Sequence, residues 1–184
     1  MNSIERQRLW ADAYAFRAFV AAQRSHGLLL AQCPTNEGDL YLALTTALHA
    51  QYARPFGKSD GVDSRFRFVR DDVPESVRDY HDFMSSFRHK VLCHTDANFS
   101  TEGIELNDLE VHRSDAGELS ISPSDPRALR DHYRELGQLF STMVAVSGRR
   151  LLATLRASEH FVPQSPGRYL LRLSGEDPFE KLPS

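Results

Sequence analysis

Apolar residues recur at intervals of three and four along four stretches of this chain, and that spacing constrains the fold more than any other feature. Residues so spaced share one face of an α-helix, and the face needs other helices to cover it. The clearest case is Leu129, Tyr133, Leu136, Phe140 and Met143, which follow Asp125 as N-cap and Pro126 in the first turn. This helix is predicted to extend to Ser158, with its bend at Ser147-Gly148. Asn2-Ser3-Ile4-Glu5 has the form of a capping box and opens a first helix with a face of Leu9, Ala13, Phe16 and Val20, running to about Ser25 and ending near Gly27. Trp10, Tyr14 and Phe19 broaden that face and read as core packing. The second helix, capped by Thr35 or Asn36, carries Leu40, Leu44, Ala47, Leu48 and Gln51 and stops at Arg54-Pro55; His49 within it reads as a solvated or hydrogen-bonded histidine outside any site. The third begins at Asp71-Asp72-Val73-Pro74 and reaches His94, with Tyr80, Met84, Phe87, Val91 and His94 on one face.

After the third helix, Ile104 to His112 and Glu118 to Ser122 alternate apolar and polar residues around Ser114-Asp115-Ala116-Gly117, the pattern of a β-hairpin spanning about 103–122. Residues 161–184 carry Pro163, Pro166 and Pro178 around a short apolar Tyr169 to Leu173 and read as a strand-like, extended tail. The expected fold is mainly α: one domain over 1–184, an antiparallel four-helix bundle with a small hairpin after the third helix. The longest apolar run, Gly27 to Ala31, is far below the roughly 20 residues that span a bilayer. With two cysteines and no basic-then-apolar leader, a cytoplasmic location without membrane association is expected.

Ionisable chemistry concentrates in Phe87-Arg88-His89-Lys90-Val91-Leu92-Cys93-His94-Thr95-Asp96. Arg88 and His94 lie six residues apart and so diverge by about 120° around one helix. Two copies of that helix across a two-fold axis would bring an Arg and a His from each chain to one cleft, so a homodimer through the third helix is expected. The net charge of −3 requires any nucleic-acid site to be a local patch, and one is present. Between Arg54 and Arg70, Arg54, Lys58, Arg65, Arg67 and Arg70 outnumber Asp60 and Asp63 and interleave with Phe56, Phe66 and Phe68, which suits a phosphate chain with unstacked bases. The same stretch also reads as a strand-like connector, phenylalanines to the core and arginines to water.

The pattern of Arg88, the polar His89, four further residues and then His94 resembles the hallmark of the HEPN family, helical-bundle proteins of which many are ribonucleases in toxin and defence systems. The resemblance implies a metal-independent endoribonuclease in which Arg88 holds the phosphate, His94 transfers protons, and His89 orients or binds. Lys90, Arg54, Lys58, Arg65 and Arg67 would then hold the RNA. The alternative is a noncatalytic helical module that dimerises and binds a protein or nucleotide partner, which the acidic overall charge favours. His81, His89 and His94 do not share the three- or four-residue spacing of ligands on one helix, so no metal is expected, and Cys93 reads as a small buried thiol. No phosphate-binding glycine loop, nucleophile elbow or dinucleotide fingerprint is present, and no cofactor is expected.

Overall fold

The computed structural model describes residues 2–33, 38–58, 62–87, 100–101, 104–105, 109–115, 117, 119–123, 127–173 and 178–182. The fold is mainly helical: α1 (Ser3–Gln32), α2 (Asp39–Ala53), α3 (Arg78–Phe87) and α4 (Arg127–Ala157). The capping box is formed, with Asn2 Oδ1 accepting from the Glu5 amide and Glu5 Oε2 accepting from the Asn2 amide, both at 2.9 Å. α1 does not end near Gly27 but continues one turn further to Gln32. A mid-helix glycine costs only about 1 kcal/mol, and here buried His26 and Leu29 flank it and hold the helix to the core. α2 starts at Asp39 behind Gly38, whose φ of +88° is the left-handed conformation a glycine adopts without strain. The predicted caps Thr35, Asn36 and Asp125 lie outside the described residues.

Helix three is shorter at its start than its sequence suggests. Arg70–Asp72 and Glu75–Val77 are 3-10 turns on either side of Pro74, and α3 proper opens at Arg78. Arg65 to Arg70 is likewise no sheet strand. Ser64–Phe66 forms a 3-10 turn capped by Asp63, and the extended residues after it bond the neighbouring loop, the Phe68 amide donating to the Pro55 carbonyl at 2.9 Å. The strands form three two-stranded antiparallel ribbons: β1 (Ser100–Thr101) with β2 (Ile104–Glu105), β3 (Leu109–Arg113) with β4 (Leu119–Pro123), and β5 (Tyr169–Leu171) with β6 (Phe179–Lys181). The β3–β4 pair, with Val111 opposite Ile121, is the expected hairpin with a shorter first strand, opening at Leu109 and not at Ile104, which pairs with Thr101 instead. The tail is strand-like as expected at Tyr169–Leu171, and it pairs with Phe179–Lys181 as β5 and β6.

α1 and α4 are antiparallel, since Asp12 meets Thr154, Gln23 meets Ser141, and His26 meets the Tyr133 carbonyl. The buried residues of α1 include Leu9, Asp12, Ala15, Phe19, Ala22, His26 and Leu29, so Leu9 of the predicted face and the flanking Phe19 are in the core while Ala13, Phe16 and Val20 are half-buried. Alanines let the helices approach closely, and the two polar residues are admitted because each has a partner on α4. α4 runs unbroken through Ser147-Gly148. Gly148 serves as a seat for Phe16, whose ring lies 3.4 Å from where a Cβ would stand, and Gly137 does the same for His26 at 3.3 Å. Phe19, Tyr52, Phe56, Phe68 and Phe140 knit the helices through edge-on and tilted ring contacts. Among the described residues, no helix is long and apolar enough to cross a membrane.

Three histidines are buried in this core: His26, His49 and His81. His49 Nε2 lies 3.1 Å from the Tyr133 hydroxyl, and His81 Nδ1 lies 2.8 Å from the Tyr52 hydroxyl. Burial disfavours the imidazolium and lowers the pKa of all three, that of His49 to about 3. His49 is therefore neutral in the fold, and His26 and His81 take up a proton less readily than their unfolded counterparts, which do so below about pH 6.5. Stability is then flat above that pH and falls as the pH drops towards the folded pKa, by about 1.4 kcal/mol per pH unit for each fully depressed histidine. Urea midpoints should hold from pH 8 to 7 and decline steeply from pH 6 to 4.5, and His49→Phe should make the decline shallower.

Candidate functional site

Of the residues expected to carry chemistry, Arg88, His89, Lys90 and His94 lie outside the described residues, as does Cys93. What is described is the point from which they follow. Phe87, the last residue of α3, is buried and stacks on His49 with ring centroids 4.5 Å apart, and it touches Phe83 one turn back. His81, nearer the start of α3, sits against Tyr52 and Phe56. α3 thus runs antiparallel to α2 and leads away from the Arg54 end of it.

At that Arg54 end, the cations expected to hold substrate are gathered. Arg54, Lys58 and Arg67 line one cavity of about 200 Å³ together with Trp10 and Tyr14 of α1, Pro55, Val62 and Phe66. Three local features shape it. Arg54-Pro55 ends α2 in a 3-10 turn that brings the following loop back over α1. Gln7 Oε1 of α1 accepts from the Asp63 amide at 2.9 Å, and the Phe68 amide closes on Pro55, so the far side of the loop is fastened to both helices. Trp10 and Tyr14, one turn apart on α1, stack with centroids 4.8 Å apart and planes 9° from parallel, which holds both rings in place.

The charge in the cavity is one-sided. Asp63 is its acid, and Arg65 occupies that carboxylate through Nε at 3.0 Å and Nη2 at 2.8 Å, holding it below the usual carboxylate range. Of the predicted basic patch, Arg65 and Arg70 do not line the cavity; Arg70 is paired with Asp82 at 2.6 Å. Arg54 Nη1 donates to Gln51 Oε1 at 3.1 Å, an uncharged partner that leaves its positive charge unmatched. Among the described residues, no acid pairs with the side chain of Lys58 or Arg67. Trp10 and Tyr14 correct the reading of these rings as core: both are half-buried and belong to the cavity wall. Their four-residue spacing, offset from the buried stripe, was the signal available in the sequence.

Behind the cavity stands a residue that no sequence pattern singled out. Arg150 of α4 reaches across to α1, placing Nε 2.6 Å from Asp12 Oδ1, while Thr154 Oγ1 donates to Asp12 Oδ2 at 2.6 Å. The same guanidinium donates through Nη2 to the Phe66 carbonyl at 2.7 Å, sits 4.7 Å from the Phe68 ring centroid, and has Asp72 at 3.7 Å. It therefore ties the cavity's Phe66 wall to α1 and α4 at once. Compared with known proteins, the chain matches no family profile, no curated protein and no solved structure.

Asp12 is 0% exposed and Arg150 24%. Removing one partner of a buried pair strands the other charge and costs about 3–5 kcal/mol. Arg150→Met should lower stability by that order in urea denaturation, and adding Asp12→Asn should restore part of the loss, because the double variant buries no unpaired charge. Additive losses would show that the two groups act independently.

Proposed function

We propose that this chain acts on single-stranded RNA as a metal-independent endoribonuclease of HEPN type, in a defence or toxin–antitoxin setting. The observation that carries the reading is the cavity itself. On a chain of net charge −3, three cations without acidic partners among the described residues meet two ordered aromatic rings. Unpaired nucleotides need that combination, cations for the phosphates and flat faces for the bases. The anchoring of Phe87 adds to it, since Arg88 follows from a fixed point of the core. In this reading the four helices complete an antiparallel four-helix bundle.

Cleavage would proceed by attack of the ribose 2'-oxygen on the adjacent phosphorus, with the 5'-oxygen leaving and a 2',3'-cyclic phosphate formed. His94 moves the protons, taking one from the 2'-hydroxyl and supplying one to the departing oxygen across two histidines of a dimer. Arg88 holds the phosphate, its planar fork matching two oxygens and stabilising the charge that develops there. His89 orients the strand, and Lys90 with Arg54, Lys58 and Arg67 holds it, while Arg65 neutralises Asp63 beside them. Because Arg88 and His94 diverge on one helix, the working unit is a homodimer through α3 and the residues that follow it.

A second reading, a noncatalytic module for a nucleotide or protein partner, draws on a different observation: α3 leads away from the end of α2 where the cavity lies. Incubation of the purified protein with total RNA in excess chelator separates the two. Cleavage should occur, and Arg88→Ala or His94→Ala should each abolish it while the helical circular dichroism is unchanged. Cleavage that survives both substitutions, or that requires added magnesium, would refute this mechanism. Light scattering at micromolar concentration should give about twice 20.9 kDa, and monomer mass throughout would leave the binding module as the reading.

A further inference from the structure

We infer that the cavity between the first half of α1 and the loop after α2 is a binding site for one unpaired nucleoside phosphate. It needs none of the cleavage chemistry and stands or falls on the cavity alone. Size comes first. At about 200 Å³ the space is below the roughly 300–1,000 Å³ of sites that enclose drug-sized ligands. One base with its sugar is therefore the most it takes in, with any phosphate left at the mouth. A paired base cannot enter, because its partner strand would come with it.

The lining divides into the two halves such a ligand presents. Trp10 and Tyr14 enter the lining as a stacked aromatic pair, continued by Ala11, Ala15, Pro55 and Val62, which offers dispersion contact and no competing charge. The Trp10–Tyr14 stack fixes both ring planes in advance, so little ordering is left for the ligand to cause. Arg54, Lys58 and Arg67 supply the other half. Lys58 is exposed and Arg67 half-buried, and neither side chain is matched by an acid among the described residues, so a phosphate dianion would meet cations that need not first be released from a partner.

Two features show that this charge is arranged rather than incidental. Arg65 engages both the amide-capping and the outer oxygen of Asp63, which removes from the lining the one acid that would repel a phosphate. Arg150 holds the Phe66 carbonyl from behind, so that backbone oxygen, a second repulsive group for an anion, is already occupied. A free nucleotide and an unpaired nucleotide within RNA share this chemistry, and the test separates them.

Trp10 is the only tryptophan of the chain, so its fluorescence reports on the cavity wall and on nothing else. The full-length protein would be titrated with adenosine and uridine monophosphates, the corresponding nucleosides, inorganic phosphate, phosphotyrosine and a single-stranded oligouridylate. A saturable change is expected with the monophosphates, weakened about tenfold or more when either the base or the phosphate is missing. Lys58→Ala and Arg67→Ala should each weaken binding by about tenfold, and Trp10→Ala, followed by calorimetry with its helical signal checked, by a similar factor. Monophosphate binding is read without RNA cleavage, so the failure of one does not decide the other. If the oligouridylate binds more tightly than uridine monophosphate, the source is RNA; the reverse order makes it a free nucleotide, and either supports the site. Absence of saturable binding up to millimolar nucleotide would overturn it. So would inorganic phosphate or phosphotyrosine binding as tightly as the nucleotides, or indifference to both cation substitutions in folded protein.

Discussion

The contact between Asp12 and Arg150 is the constraint on which the rest of this structure turns. A carboxylate shut away from water on the long first helix is tolerable only if a cation comes to it, and that cation must come from the helix packed alongside. Once Arg150 is held there, its remaining donors and its flat face are committed as well, to the Phe66 carbonyl and the Phe68 ring. A single side chain thus sets the register of α1 against α4 and fixes one wall of the cavity. Phe19, Tyr52, Phe56, Phe68 and Phe140 then fill the space that this register defines.

That constraint also explains what the sequence could and could not disclose. The face of α4 was legible, since Tyr133, Leu136, Phe140 and Met143 are all buried, and so was the capping box at Asn2. The face of α1 was legible only in part, through Leu9 and Phe19. Asp12 and His26 are polar and Ala15 and Ala22 are small, so a search for large apolar residues settles on a neighbouring stripe. Their burial depends on partners far along the chain, Thr154, Arg150 and Tyr133, and no local periodicity encodes those. The alternation from Arg65 to Arg70 carried a true inside-outside signal, with Phe68 buried and Arg65 exposed, yet hydrogen bonds to a neighbouring loop replaced those of a sheet.

The candidate site divides in the same way. The clustering of Arg54, Lys58 and Arg67 was visible because they are close in sequence and lie among aromatics. Trp10 and Tyr14 were hidden because they sit far away on a helix whose other side makes the core, and their role appears only when the loop after Pro55 folds back. Arg65 was grouped with the cations on composition, but its pairing with Asp63 gives it the opposite task of removing an acid.

Gly137 and Gly148 have a bearing on how α1 and α4 can evolve. They are eleven residues apart, close to three full helical turns, so both lie on one side of α4 like two notches in a bar. His26 and Phe16 are the teeth that enter them. Sliding α4 along its axis by one turn would present a Cβ where each tooth now fits, so shape opposes the shift independently of charge. Residues facing outward between the notches, such as Gln138 and Ala145, are free of this mechanical lock, and change should accumulate there while the notches stay empty.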